Sequence, residues 1–555
     1  MDRHVLIGQA WPYANGSLHF GHIAGLLGAD VLARYFRLAG DKVLFVSGTD
    51  CHGTPIANKA FQEGKAPAEI AAFYHAEFTD NFKQLGVEHD LYAATMQPHH
   101  HMVAQWVFST LYRKGQLALH RTPQLFCGHC QRFLVDRYVE GNCPNCNVAG
   151  ARGDQCDACG QTYEATELKQ PRCKNCNNPA TIKEAEHLFL RLPAFADALR
   201  TWAEQTSSKW RENAQRTTFA WLDKAEGLKD RAVTRNIDWG IPIPLAGWSD
   251  YRIYVWFEAV IGYLSASMSA AGGDLTGGPW EAWWRPENNP LHYYVHGKDN
   301  IPFHTVIWPA ILMGMENLAL PTHIISSEYL QLPSGQKFSK SGGYGATVPE
   351  FLDMTATVPG LTVDSLRHFM IGKNPESKDS PFSWNDLAGD HNSLLVNKLG
   401  NLVSRAATMA HRHCNGQIPS AAPAEAIMAK CQNAFAEAGA ALEQGAFRVA
   451  TSHWLGLVDT LNSYWNDQRP WDQVKTDPAG AAITMATTLH GVGALATLVE
   501  PSIPLAAKRL RAILGTDALS AKREWQFGLL PAGLHLGELQ HLFSRIDRPR
   551  LPTDS

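Results

Sequence analysis

The chain predicts an α/β fold built on a doubly wound parallel sheet, interrupted by a cysteine-rich insertion and followed by an all-α helix bundle. Three observations carry this. Apolar runs at residues 5–10 and 43–46 each end in a glycine-bearing polar loop and alternate with stretches of helical period. Eight of the eleven cysteines fall into four Cys-x-x-Cys pairs between positions 127 and 176. From Leu387 to about Phe543, apolar residues recur at steps of three and four. A chain of 555 residues exceeds what one core serves, so several units are expected. They divide as the first half of the sheet domain (1–115), the insertion (116–225), the second half (226–325), a connecting segment (326–386), the bundle (387–545) and a tail (546–555).

Residues 5–10 fit a short buried strand, and Ile23, Leu27 and Val31 mark a helix over 23–38. Between them runs Trp11-Pro12-Tyr13-Ala14-Asn15-Gly16-Ser17-Leu18-His19-Phe20-Gly21-His22. Gly16 and Gly21 leave room for close backbone approach. His19 and His22 fall where a helix start offers free N–H groups and partial positive charge, a place suited to phosphate. Ordinary histidines of a polar loop would give the same short pattern, so its weight depends on what accompanies it. A second strand over 42–47 leads to Gly48-Thr49-Asp50. In doubly wound sheets ligands bind beyond the carboxyl ends of strands, where Asp50 can anchor an ammonium group or merely cap a turn. Helices follow over 67–85 and 102–114, with Trp106, Val107, Leu111 and Tyr112 as core.

The pairs Cys127/Cys130, Cys143/Cys146, Cys156/Cys159 and Cys173/Cys176 sit among Gly, Asn and Asp. Each supplies two tetrahedral corners, and two pairs close a four-thiolate zinc site, so one or two structural zinc ions are expected. Only nine residues separate Cys146 from Cys156. That favours a nested grouping, inner pairs together and outer pairs together, with sequential pairing left open. Such a segment buries little apolar surface, so metal would supply its folding energy. Four thiolates leave no open coordination position for catalysis.

Residues 183–239 return the chain to the sheet. Residues 254–263 read as a strand running into a helix, where Trp256 and Tyr263 beside small residues suit a pocket wall. A strand over 291–296 breaks into Gly297-Lys298-Asp299-Asn300, with His304 and Trp308 further on. The loop Gly335-Gln336-Lys337-Phe338-Ser339-Lys340-Ser341 then places two lysines three apart among small residues, able to close over a polyphosphate and release it.

The histidine loop and the lysine loop, set about three hundred residues apart across an α/β domain with a cysteine insert, resemble the two signatures of class I aminoacyl-tRNA synthetases. The stretches at 10–16, 49–55, 254–263 and 297–299, with the knuckles, resemble the methionyl branch over nearly the whole chain. The resemblance implies a Rossmann-like catalytic domain and a two-step reaction. Methionine attacks the α-phosphate of ATP to give methionyl-adenylate, and the terminal ribose hydroxyl of tRNA(Met) then takes the acyl group. It assigns catalysis to His19, His22, Lys337 and Lys340, and ATP binding to these four with Gly21, Gly297, Lys298 and Asp299. It assigns the amino-acid pocket to Trp11, Tyr13, Asp50, Trp256, Ala259, Val260, Tyr263, Asn300, His304 and Trp308. Asn401, Arg405 and Trp471 would read a CAU anticodon, by hydrogen bonds to base edges and by stacking. Magnesium is expected with ATP.

Trp11 stands where Leu is frequent in the family, Phe338 where Met is usual and Asn300 where an apolar residue is common. Other class I synthetases would need a different pocket. A small nucleotidyltransferase would have no use for the bundle, and a non-enzymatic zinc RNA-binding protein none for the paired histidines and lysines. A paralogue that activates an amino acid without charging tRNA keeps every motif. The formal charge of −4 excludes a globally basic nucleic-acid binder but not a local RNA surface. No signal-peptide pattern and no uninterrupted apolar run of membrane length is read, which suggests a cytoplasmic protein. The chain stops soon after the bundle, which suggests a monomer.

Overall fold

The structure, a computed structural model, describes residues 3–134, 138–153, 156, 158–159, 163–335, 338, 347–519 and 523–552. Its centre is a five-stranded sheet of β1 (His4–Gln9), β2 (Lys42–Thr49), β3 (Leu91–Ala94), β4 (Leu291–Gly297) and β5 (His323–Ser327). The order is β5-β4-β1-β2-β3, and every neighbouring pair is parallel. Because each strand is covered on both faces, β1, β2 and β4 read as nearly continuous buried runs. One face carries Phe36, Phe78 and Phe82; the other carries Phe108, Leu264 and Ile311.

The helix expected over 23–38 is two helices, α1 (Phe20–Leu26) and α2 (Gly28–Leu38). The break comes from a tertiary contact: the Gln9 side-chain amide on β1 donates to the Leu26 carbonyl at 3.0 Å, and the Asp30 N–H turns to Leu27 instead. Residues 254–263 also differ from the expected strand-to-helix run. The strand is only Arg252–Ile253, and Tyr254 caps α3 (Val255–Ala271), which holds all the aromatic positions that follow. Tyr112, expected in the core, is exposed, one position past buried Leu111 on the helix Pro98–Arg113.

The insertion leaves the sheet as an antiparallel ribbon of Leu117–Cys127 with Thr181–Leu190. Its far end carries a small sheet in which Val139 pairs with Cys173. The outer cysteine pairs meet at the end of the ribbon, where Phe126 pairs with Thr181. Two helices within the 116–225 segment, Ala196–Thr206 and Glu212–Leu222, pack back on β5, where Trp202 and Trp210 donate to the carbonyls of Pro321 and Thr322.

The bundle comprises His391–Gly400 running into Asn401–His413, then Glu425–Glu443, Phe447–Gln468, Pro478–Leu498 and Pro504–Leu514. The helical reading to Phe543 holds only to Leu514. Beyond it the chain carries Gly528, Pro531, Gly533 and Gly537 and forms an irregular strap. The strap is tied down through Trp525, which donates from its backbone to Leu38 and from its indole to Phe435. Among the described residues one helix, Pro478–Leu498, is long and apolar enough by length and mean hydropathy to cross a membrane, although Thr484, Thr487, Thr488 and His490 interrupt it. As the central helix of the bundle, it is 78% buried over its apolar window.

The connection between sheet and bundle combines apolar packing, with Leu442 and Phe447 in the sheet's core, and a buried ion pair. Arg367 is fully buried and spans both, with its guanidinium 2.6 Å from Asp30 on α2 and donating to the carbonyls of Leu85, Pro501 and Ser502. These four acceptors satisfy a charge whose desolvation would otherwise cost several kcal/mol.

Candidate active site

From β1 the chain proceeds to β2 and β3 on one side, and later to β4 and β5 on the other. The crevice beyond the carboxyl ends of β1 and β4 is therefore the point where the winding reverses, the usual ligand position in such sheets. A cavity of about 430 Å³ opens there.

On one side stands the histidine loop. The backbone N–H of His19 donates to His22 Nδ1 at 3.1 Å, and the two rings stack at 3.7 Å. An Nδ1 that accepts leaves the proton of a neutral imidazole on Nε2, so His22 presents a donor. A Cβ on Gly21 would come within 3.0 Å of the His19 ring, so glycine there lets the imidazole lie over the helix start. Phe338 stacks beside His19 at 6.3 Å, and Val348 N–H donates to the Leu18 carbonyl, tying the later segment to this loop. Lys337 and Lys340 lie outside the described residues.

The opposite wall is α3. Trp256, Ala259, Val260 and Tyr263 line the cavity at helical spacing, and Phe303 closes on Trp256 edge to face at 5.0 Å. Tyr263 Oη lies 2.8 Å from His304 Nε2, while His304 Nδ1 lies 2.9 Å from the Asn300 carbonyl. Burial pushes the His304 imidazole down to about 4, so it is neutral at pH 7. A carbonyl can only accept, which puts the single ring proton on Nδ1 and makes Tyr263 the donor to Nε2.

At the floor, Asp50 N–H donates to the Pro12 carbonyl and Ala14 N–H to the Asp50 carbonyl, both at 2.9 Å, which zips the loop after β1 to the end of β2. Asp50 is 3% exposed, and no Lys or Arg among the described residues pairs with it. Burial, and after it the charge of Glu258, pushes its carboxyl well above the usual carboxylate range. Burial likewise raises the Tyr13 phenol, with the Asp50 charge adding to it. A buried carboxylate without a cation is a site waiting for one.

Trp11 is explained by its neighbours. Its indole occupies a slot between Gly48 on β2 and Gly262 on α3; a Cβ on Gly262 would fall 2.6 Å from the ring, and Gly48 has no more room. The large residue at the pocket edge is matched by two positions without side chains. We expect Gly262→Ala to destabilise the fold by about 1–3 kcal/mol through overpacking, and Trp11→Leu in the same chain to restore most of it. Thermal melts of the single and double variants check this.

Two expected site residues, Trp308 of the amino-acid pocket and Lys298 of the ATP site, are not among those lining the cavity. Trp308 is fully buried behind the wall and donates from Nε1 to Tyr294 Oη at 2.9 Å. Lys298 is engaged by Glu328 and Asp379, at 2.6 and 2.7 Å. Gly297, Asp299 and Asn300 do line the cavity. Glu328, Tyr329 and Leu330 line it too, although sequence reasoning passed over them. Their only signal was the pair Ile324-Ile325 followed by Glu328, too short to mark a strand end; Tyr329 Oη donates to the Asp299 carboxylate.

Far from this cavity, Arg405 donates to the side-chain oxygens of Asn462 and Asn466, at 2.6 and 3.1 Å. Asn401 is exposed one turn earlier. Trp471 follows Gln468 by three residues, across the left-handed turn at Arg469, and its indole is 42% exposed.

The cysteines form two groups, Cys127/Cys130/Cys173/Cys176 and Cys143/Cys146/Cys156/Cys159, each with all sulfurs within 4.8 Å of one another. The nested grouping is the one observed. Cys130 N–H and Cys146 N–H bond back to Cys127 and Cys143, and the left-handed residues Gln131, Asn147 and Asn177 close their knuckles. Each group could hold a tetrahedral thiophilic metal ion.

A parallel sheet carrying paired histidines at its winding reversal is the architecture of class I tRNA synthetases. The family model described as "tRNA synthetases class I (M)" matches residues 5–407, and "Anticodon binding domain of methionyl tRNA ligase" matches 416–551. Methionine–tRNA ligase 2 of Bacillus cereus is 40% identical over 98% of this chain and 97% of its own length. Methionine–tRNA ligase 1 of Alkaliphilus oremlandii is 38% identical over the same shares. Among solved structures, Mycobacterium tuberculosis methionyl-tRNA synthetase bound by methionyl-adenylate superposes with a TM-score of 0.79 at 24% identity, covering 98% of this chain and 100% of that one. The chain belongs to the methionyl-tRNA synthetase family.

Proposed function

We infer that the protein ligates methionine to tRNA(Met) in two steps, and the observation that carries this is the buried Asp50, with no Lys or Arg partner among the described residues, in a cavity it shares with an aromatic wall and the paired histidines. The methionine ammonium pairs with Asp50, with Tyr13 beside it, while the thioether lies against Trp256, Ala259, Val260, Tyr263 and His304. A polarisable, flexible side chain suits such a wall. Trp11 and Asn300 bound this pocket. ATP lies toward Gly21, Gly297 and Asp299.

The methionine carboxylate oxygen bonds to the α-phosphorus as the bond to the β-phosphate oxygen breaks, and pyrophosphate leaves. His19 and His22 stabilise the charge on the α-phosphate, and Lys337 and Lys340 hold the departing pyrophosphate. Catalysis is positional and electrostatic, with no covalent enzyme intermediate. In the second step the terminal ribose hydroxyl of tRNA attacks the acyl carbonyl and AMP leaves. Asn401, Arg405 and Trp471 read the CAU anticodon, Trp471 by stacking. The two cysteine groups hold two zinc ions with a structural role, magnesium accompanies ATP, and the enzyme works as a cytoplasmic monomer.

The test is ATP–pyrophosphate exchange over a panel of amino acids, followed by charging of elongator and initiator tRNA(Met). Exchange with methionine alone is expected, and its absence overturns the reading. Trp471→Ala should lower charging by roughly 5- to 150-fold, the worth of one stacked base, and leave exchange within twofold. Exchange without charging in the unmodified protein would instead identify an adenylate-forming paralogue.

A further inference from the structure

Helix α3 carries two stripes, and the reading above uses only one. Trp256, Ala259, Val260 and Tyr263 face the cavity. Glu258, Gly262 and Ser265, at steps of four and three, share a second face. Gly262 receives Trp11. Glu258 is fully buried and accepts from His52 Nδ1 through one carboxylate oxygen and from His100 Nε2 through the other, both at 2.6 Å. Ser265 Oγ lies 2.8 Å from the remaining ring nitrogen of His100. His52 in turn belongs to the Asp50 loop, and its backbone N–H points to Asp50 Oδ1 at 3.4 Å.

We propose that Glu258 is a positioning residue for amino-acid recognition: it ties the loop that carries Asp50 to the helix that carries the thioether wall. The tether sets the distance between the ammonium anchor and the side-chain pocket. This rests on the reading of the site as one that activates methionine. Burying a carboxylate costs several kcal/mol unless it is fully hydrogen-bonded, and here both oxygens are engaged by groups from two different segments. The loop is fixed further by Trp239, whose indole donates to the Cys51 carbonyl at 2.7 Å, and by Thr95, which accepts from Cys51 N–H. Neither of these bonds reaches α3. The Glu258–His52 bond joins the Asp50 loop to α3 directly, beside the packing of Val255 against Gly53. An amino acid whose ammonium and side chain must be satisfied together then meets a fixed ruler, and one methylene more or less is penalised.

The experiment is pyrophosphate exchange by Glu258→Ala, Glu258→Gln and wild type, with methionine and with ethionine, which is one methylene longer. With the tether cut in Glu258→Ala, KM for methionine should rise about tenfold or more and KM for ATP should stay within twofold. The preference for methionine over ethionine in kcat/KM should shrink severalfold. Glu258→Gln keeps the length and can still bond both imidazoles, so it should recover most of the preference. Should Glu258→Ala not fold, His52→Ala cuts the same tether from the other end and is held to the same expectations. Unchanged KM for methionine and unchanged preference in a folded variant overturn the proposal, as does a parallel rise in KM for ATP. Wild-type exchange with methionine shows that such a failure belongs to the tether alone; no exchange by wild type overturns the tether and the reading beneath it.

Discussion

His22→Ala lowers the rate of methionine-dependent pyrophosphate exchange by roughly 100- to 1000-fold, the range for removing one preorganised donor from a developing oxyanion. The expectation follows from the tautomer. His22 Nδ1 is held by the His19 N–H, so Nε2–H is the donor, and its direction is set by the backbone before ATP arrives. A donor that costs no reorganisation at the moment of reaction acts on kcat, and methionine affinity should stay within about twofold. His22→Gln keeps a donor but loses the aromatic stack on His19, so it should fall between alanine and wild type. Single-turnover adenylate formation, followed by pyrophosphate release, separates the two effects. A parallel loss of methionine binding would show that the loop only supports the pocket.

Asp50→Asn raises KM for methionine by about 30-fold or more, since removing one partner of a buried charge pair costs about 2–5 kcal/mol. Asparagine fits the same space, so stability should not fall. Burial and the Glu258 charge penalise ionised Asp50 in the empty site. A folded-state value raised above the unfolded one favours the protonated form, so stability from this group is present at low pH and is lost as pH rises through the raised value. Methionine binding has the opposite dependence, because its ammonium needs the ionised carboxylate. KM for methionine should therefore rise as pH falls through that region in wild type and be flat in Asp50→Asn. Methioninol, which keeps the ammonium and lacks the carboxylate, should show the same dependence as an inhibitor.

Much of the fold was legible because it is locally encoded. The buried runs of β1 and β2 are apolar without alternation, as strands covered on both faces require. Cys-x-x-Cys spacing is a local geometric constraint, and the short gap between the inner pairs favoured the nested grouping. What stayed hidden depended on partners distant in sequence. The break between α1 and α2 comes from Gln9 taking the Leu26 carbonyl. The strap beyond Leu514 follows the surfaces of bundle and sheet, which no periodicity within it announces. Lys298 and Trp308 carried the right residue types for a pocket, yet acids at 328 and 379 claim one and Tyr294 the other.

The sequence by itself determined the alternation of strand and helix, the paired histidines at a helix start, the cysteine knuckles and the helical period of the last third. Each of these rests on residues within a few positions of one another, where chain geometry alone dictates spacing. Only the tertiary structure decided what Trp11 is for, that no Lys or Arg among the described residues pairs with Asp50, and that Glu258 spans two segments. These are properties of burial and of neighbours 40 to 250 residues away. The slot for Trp11 exists only when Gly48 and Gly262 face each other across the folded interior, and the cost of an unpaired carboxylate arises only where folding has removed the water.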